Sequence, residues 1–276
     1  MTTKELIDRQ IRIEKKIIKN NIIDNLKTPV IYSPSSYGIM NKCTGKNVKI
    51  AILDTGCPNH KDININGDKI NINVSKNIDD KDGHSTMIAG LINANNKHGI
   101  IGLAPNATLL FCKVSNNRGN VDFNSLIAGV LWAVVKKVDI IVIAMGTQYD
   151  HVVLRDAIKK ALNQGICVIA AAGDENVDEN WQIDYPAKFK GVFSAGFLTK
   201  GRIKNKIIKE KTDFYLKNKG LCTTYLNNKY IKMSGSSISA AFFAGLAAVL
   251  VEQYKKEKIY NINEKVYENL LRITNI

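Results

Sequence analysis

The sequence predicts an α/β domain built as a three-layer, mostly parallel sheet with helices on both faces. Three observations carry that expectation. Between residues 48 and 196, short β-branched apolar runs alternate with longer segments of helical spacing, the pattern of strand-helix-strand units whose crossovers make neighbouring strands parallel. The strand-like runs are continuous and apolar, which marks buried strands. Residues 235–251 form a hydroxyl-rich turn running into a segment that is apolar on nearly every side for more than three turns, so it reads as a helix in the middle of the domain.

Taken in order, residues 1–27 place Leu6, Ile7, Ile11, Ile13, Ile17, Ile18, Ile22 and Ile23 among charges at helical spacing, which predicts an amphipathic extension that docks on an apolar surface. Two placements stay open for it: folded back over the functional groove as an inhibitory segment, or docked on the back of the domain. Pro29 and Pro34 break the pattern and separate it from the domain of residues 28–276. Residues 48–53 are a buried strand ended by Asp54-Thr-Gly56, residues 85–95 a helix, and residues 96–99 a turn. A strand at 107–114, a helix at 123–137, a strand at 139–145, a helix at 152–163, a strand at 166–172 and a short strand at 192–196 follow.

Composition narrows the class. With 45% hydrophobic and 23% charged residues, 276 residues are enough for one large domain with a sizeable core. Cys43, Cys57, Cys112, Cys167 and Cys222 are odd in number and lack a C-x-x-C spacing, so the expectation is reduced thiols in a cytoplasmic protein. No apolar leader core opens the chain and no run approaches a membrane span, so neither secretion by a standard signal nor a membrane partner is expected. The net charge of +14 would suit nucleic acid, but the chain is also rich in Ile and Asn. We therefore read the lysines as biased usage over solvated faces. The dense run from Lys200 to Lys211 lacks the aromatic interleaving that stacks bases, and no nucleic-acid partner is expected. Nothing in the sequence fixes an oligomeric state.

In parallel sheets, chemistry gathers beyond the carboxyl ends of the strands. Asp54 and Asp174 each follow a predicted strand, His84 opens a helix, and Ser237 begins the buried one, so all can face one crevice. A serine needs a base to take its proton, and an imidazole needs a carboxylate to fix its tautomer. Among four histidines, His60 and His151 sit in polar loops and His98 in a turn; only His84 lies between small residues at a helix start. On spacing alone the competing reading stands beside this one: Ser236 or Ser237 as a helix cap, and each Asp or His as a turn or cap residue.

Ile52-Leu-Asp-Thr-Gly56, Gly83-His-Ser-Thr-Met-Ile-Ala-Gly90 and Gly235-Ser-Ser-Ile-Ser-Ala240 resemble, in that order, the three signature blocks of the subtilisin-like serine proteases. Gly102-Leu-Ala-Pro105, Lys113-Val114, Asp139-Ile-Ile141, Ala170-Ala-Ala-Gly173 and Tyr185-Pro-Ala187 match between them, and residues 30–253 are covered. The start of the domain and Asp54-Thr-Gly-Cys57 look most like the intracellular type. The resemblance implies a subtilisin-like fold and a serine endopeptidase in which Ser237 is the nucleophile, His84 the general base and then acid, and Asp54 the residue that orients the imidazole. It implies an extended protein or peptide substrate lying between residues 117–121, including Gly119, Asn120 and Val121, and Ala144-Met145-Gly146.

Departures from the family pattern sharpen these expectations. Ser85, Thr86 and Met87 follow the histidine where Gly-Thr-His is usual, and Ala241 replaces a proline after the nucleophile. Asp174 stands where an asparagine usually donates to the oxyanion; ionised it would repel that charge, protonated it could still donate. A weak enzyme, or a pseudoprotease that binds extended peptides without cutting them, is therefore the alternative. Asp184, at the base of the primary specificity pocket by the same resemblance, with Glu175 at its rim, implies cleavage after Lys or Arg. If Asp184 instead turns to solvent, the pocket is apolar and prefers Leu, Met or Phe. The residues call for no cofactor and form no metal set. The family's structural calcium stays open, against a loop at 93–99 that is one residue short and carries Lys97.

Overall fold

The computed structural model describes residues 21–39, 42–73, 77–116, 120–173, 182–198, 212–217 and 220–274. Residues 1–20 of the extension, Gly119, Asp174, Glu175 and the run from Lys200 to Lys211 lie outside them.

A seven-stranded sheet, parallel at every pairing, organises the chain. Across it run β10 (Phe214–Lys217), β9 (Phe193–Leu198), β8 (Cys167–Ala171), β7 (Ile140–Ile143), β3 (Lys49–Asp54), β6 (Thr108–Lys113) and β4 (Lys69–Asn71). The chain fills one side of β3 with β6 and β4, then crosses back to lay β7 on its other side. The carboxyl end of β3 is thus the switch point of the sheet, where flanking loops part and leave a crevice. Register puts Asp54 beside Lys113 and Ile52 beside Val142.

Alternation along the strands sorts their side chains onto two apolar faces. Ile50, Ile52, Phe111 and Val142 face α1 (His84–Asn93) and α4 (Ser236–Lys256), whereas Ala51, Leu53, Leu110 and Ile141 face α2 (Phe123–Val135) and α3 (Val152–Asn163). Coverage on both faces is why the strands read as unbroken apolar runs. The helices follow the same logic. In α3, Leu154, Ala157, Ile158 and Ala161 are buried at helical spacing, and in α2 the Asp122 carboxylate caps the first turn by accepting from the Ser125 N–H at 2.8 Å. Although α4 is long and apolar enough to cross a membrane, it lies inside the domain. Truncating a ring such as Phe242, 1% exposed, would cost about 3–5 kcal/mol.

The expected elements at 48–196 are all present, shifted by a residue or two at their ends. Asp54 is the last residue of β3 rather than the first beyond it, and His84 is the first residue of α1. Of residues 1–27 only 21–27 are described: Asn21 is helical, and the helical expectation fails from Ile22 on. Ile22–Ile23 form β1, an edge strand antiparallel to β12 (Lys229–Met233), because two β-branched residues here satisfy backbone groups along the edge of that strand. The hairpin of β11 (Leu221–Tyr225) with β12, and the terminal helix α5 (Ile262–Thr274), were not expected from the sequence. Val30–Ile31 (β2) and Ile100–Ile101 (β5) add a small parallel pair. None of the five cysteines is in a disulfide, and burial pushes Cys112 up to about 12.

Candidate active site

The aspartate and the histidine singled out by sequence meet. Asp54, 1% exposed at the end of β3, lies 2.9 Å through each carboxylate oxygen from Nδ1 of His84. Its Oδ1 also accepts from the Thr55 N–H at 2.7 Å. An ionised carboxylate only accepts, so Nδ1 carries the proton of the neutral ring and Nε2 remains as the basic nitrogen. His84 begins α1 after Gly83, whose φ of 97° favours glycine; a Cβ there would also fall 2.3 Å from the Tyr225 ring. The helix is fastened behind the site by Thr223 and Thr224, whose hydroxyls donate at 2.7 Å to the Met87 and Thr86 carbonyls. Gly90 allows that approach, since a Cβ would lie 2.1 Å from the Thr224 Oγ1.

Ser237 is the second residue of α4 and half-buried. The capping position is held by Gly235, so neither serine caps the helix. The first N–H groups of α4 therefore lack helical partners and carry the positive end of its dipole. The Ser237 hydroxyl donates to the Ala144 carbonyl at 2.6 Å, which ties α4 to the end of β7.

The two loops expected as substrate walls follow β6 and β7. After β6, the Asn116 N–H donates to the Asn120 carbonyl at 2.9 Å, and Val121 bridges back to Ser115. After β7, Ala144 is buried, Met145 half-buried and Gly146 exposed. Thr147 and Tyr185 exchange backbone hydrogen bonds at 3.0 and 2.7 Å, drawing residues 182–186 against that wall. Asp184 is 3% exposed, which removes the solvent-facing alternative for this residue. Its Oδ1 accepts from the Gln148 side-chain amide, and a Cβ on Gly146 would lie 3.0 Å from Oδ2.

The other histidines have structural duties. His60, expected in a polar loop, is buried, with Nε2 3.0 Å from the Lys229 carbonyl; burial lowers its pKa. His151 caps α3 and stacks on Phe123, and His98 lies in the turn with its N–H on the Asn96 side chain.

Sequence reasoning missed two buried carboxylates. Asp80, 5% exposed, lies directly behind Thr55 and the start of α1. Asp62, 2% exposed, gathers the loop at residues 93–99. It accepts from the Asn96 amide at 2.6 Å, the Ile100 N–H at 2.9 Å and the Tyr230 hydroxyl at 2.9 Å. Calcium needs six to eight oxygen ligands, whereas this carboxylate is occupied by hydrogen-bond donors, and Lys97 in the same loop is exposed. Among the described residues no group of three or more His, Cys, Asp or Glu is placed to hold a metal.

Comparison with known proteins agrees with this geometry. Residues 45–272 match the model of the subtilase family. The chain is 32% identical to the major intracellular serine protease of Bacillus subtilis (strain 168), over 96% of this chain and 88% of that protein. It is 31% identical to the intracellular serine protease of Paenibacillus polymyxa, over 86% and 76%. It is also 30% identical to the minor extracellular protease Epr of Bacillus subtilis (strain 168), over 83% of this chain but only 36% of that longer protein. With a parallel sheet whose switch point carries Asp54, a histidine bonded to it and a serine at a buried helix start, the chain belongs to the subtilase family and is a subtilisin-like serine endopeptidase.

Proposed function

We propose that the chain hydrolyses peptide bonds in extended protein segments through an acyl-enzyme on Ser237, with His84 as base and then acid and Asp54 holding the imidazole. The observation that supports it most is the Asp54–His84 hydrogen bond at 2.9 Å, at the end of the strand that flanks both substrate walls. As Ser237 Oγ attacks the scissile carbonyl carbon, its proton passes to His84 Nε2. The C–N bond then breaks and that proton leaves with the amine. A water molecule repeats the sequence on the ester, giving its proton to His84, releasing the acid and returning a proton to Ser237. Rotation about the serine Cα–Cβ bond must first carry the hydroxyl from the Ala144 carbonyl toward the ring.

Finer features belong to the same reading. N–H groups at the start of α4 supply positive potential for the oxyanion, and Asp174 is its second, compromised partner. The substrate adds as a strand between Gly119-Asn120-Val121 and Ala144-Met145-Gly146, with Asp184 favouring Lys or Arg before the cut. Relatives named as intracellular, together with five cysteines outside any disulfide, favour the cytoplasm. Proteins or peptides are the partners, without nucleic acid or a membrane.

A fluorophosphonate tests the assignment. It should label Ser237, and Ser237→Ala should abolish both labelling and hydrolysis. Labelling that survives the substitution would refute the nucleophile. A folded wild-type chain that binds extended peptides but neither labels nor cleaves would be a binding module instead.

A further inference from the structure

We propose that Asp80 is a positioning residue for the reaction: one buried carboxylate holds the backbone on both sides of the Asp54–His84 pair in a single frame. The inference rests on the roles proposed above for Asp54, His84 and Ser237.

Five donors converge on this side chain. Oδ1 accepts from the Thr55 hydroxyl at 2.9 Å, the Asp82 N–H at 3.1 Å and the Gly83 N–H at 2.8 Å, while Oδ2 accepts from the Thr86 N–H at 2.8 Å and the Thr86 hydroxyl at 2.6 Å. Gly83 and Thr86 bracket His84 on the first turn of α1. Thr55 follows Asp54, and it closes the circuit: its N–H is on Asp54 Oδ1 at 2.7 Å and its Oγ1 accepts from the Ser85 N–H at 3.0 Å. Asp54, Thr55, Asp80, the first turn of α1 and His84 therefore form a closed ring of hydrogen bonds.

The ring is itself anchored to the sheet. The Asp80 N–H donates to the Cys57 carbonyl at 2.8 Å, and the ammonium of Lys113, a register partner of Asp54, donates to the Asp79 carbonyl at 2.8 Å. Burial lowers the Lys113 pKa, opposed by Asp80 and Asp79. A plain helix cap would need only the Gly83 and Thr86 contacts. The bond to Thr55 adds nothing to the helix that Ser85 does not receive through it, but it couples the strand carrying Asp54 to the helix carrying His84. Charge-assisted bonds to a buried carboxylate are the stronger kind, so the coupling is stiff.

The test compares Asp80→Asn, Thr55→Val and the double variant in the full chain, reading kcat and KM for a peptide substrate alongside thermal unfolding. Asp80→Asn places an amide against the Thr86 donors, and Thr55→Val cuts the link to β3 while leaving the contacts to Asp82, Gly83 and Thr86. Each single change should lower kcat by about tenfold or more with KM altered by less than about threefold, as small displacements of reacting groups do. The double variant should lose little beyond the worse single one, because both break the same ring. A Thr55→Val enzyme with wild-type kcat would overturn the proposal and leave Asp80 as a helix cap. So would losses that simply multiply. If Asp80→Asn does not fold, Thr55→Val and Thr86→Val, with their double, carry the same comparison. Activity in the parent chain that survives His84→Ala or Ser237→Ala would instead strike at the assigned reaction.

Discussion

Ser237 and Ala144, 93 residues apart, are joined by a 2.6 Å hydrogen bond in which the serine hydroxyl rests on a backbone carbonyl. That carbonyl lies on the wall where the substrate strand is expected to pair. A substrate N–H that takes it displaces the hydroxyl and frees it for His84. Binding and activation are then one event. N-methylation of the residue before the scissile bond should lower kcat by about 10- to 100-fold rather than raise KM alone, because the lost contact prepares the nucleophile. Steady-state kinetics on the matched peptides decide. A pure KM effect would mean that the hydroxyl is already free.

Asp184 offers a buried carboxylate against Gly146, with one oxygen on Gln148. Cleavage-site profiling of a peptide library should show a Lys or Arg preference. Asp184→Asn, which keeps the shape, should reduce that preference by about 10- to 100-fold, the discrimination expected from a charged hydrogen bond of ~1.5–3 kcal/mol. A wild-type preference for Leu, Met or Phe would refute the role.

The donors around Asp62 occupy its carboxylate and tie it to the loop at residues 93–99. Adding excess EDTA or millimolar calcium should move the unfolding temperature by less than about 1 °C, since a ligand that does not bind the native state leaves its stability alone. Asp62→Ala, by contrast, strands the Ile100 N–H, the Asn96 amide and the Tyr230 hydroxyl and should lower it by several degrees. A rise in unfolding temperature on adding calcium, saturable in the wild type and absent in Asp62→Ala, would contradict this reading.

Glu252, 4% exposed on α4, accepts from the Thr44 and Lys46 N–H groups at 2.8 and 2.9 Å and from Lys256 at 2.6 Å. Burial pushes its carboxyl up, but Lys256 and the two N–H groups more than reverse this, leaving it below its ordinary value of 4.5. A depressed folded value stabilises the fold above the unfolded one and loses that contribution as pH falls through the folded one. Glu252→Gln should therefore cost about 1.5–3 kcal/mol near neutrality and much less around pH 3, as measured by chemical unfolding. An equal cost at both pH values would show that shape, not charge, matters here.

The parallel core was legible because burial on both faces leaves unbroken apolar runs, and Asp54, His84 and Ser237 stood out through the blocks around them. Other parts carried weaker signals. The β11–β12 hairpin, Leu221-Cys-Thr-Thr-Tyr225 with Lys229-Tyr-Ile-Lys-Met233, lacks a clean polar–apolar alternation, and its turn signal, Asn227-Asn228 with φ of 58° and 56°, was in the sequence but went unread. Asp80 and Asp62 could not be told from surface turn residues, because their burial is created by donors from β3, α1 and β12 that converge only in three dimensions. His60 was misread for the same reason: a polar neighbourhood in sequence became an interior one once Tyr230 packed on it.

The order of the strands also sets a timetable. The middle of β3 pairs with β7 about 90 residues later in the chain, and His84 awaits a serine about 150 residues away. At synthesis rates of about 5–20 residues per second, the apolar strand bearing Asp54 spends roughly 5–20 seconds without its second neighbour. Long-range parallel pairing is slow to form and exposes a sticky edge meanwhile. The same delay protects the cell. Because α4 carries Ser237, the proposed nucleophile, and also fills the core, a ribosome-bound fragment lacking it has neither a finished interior nor that serine.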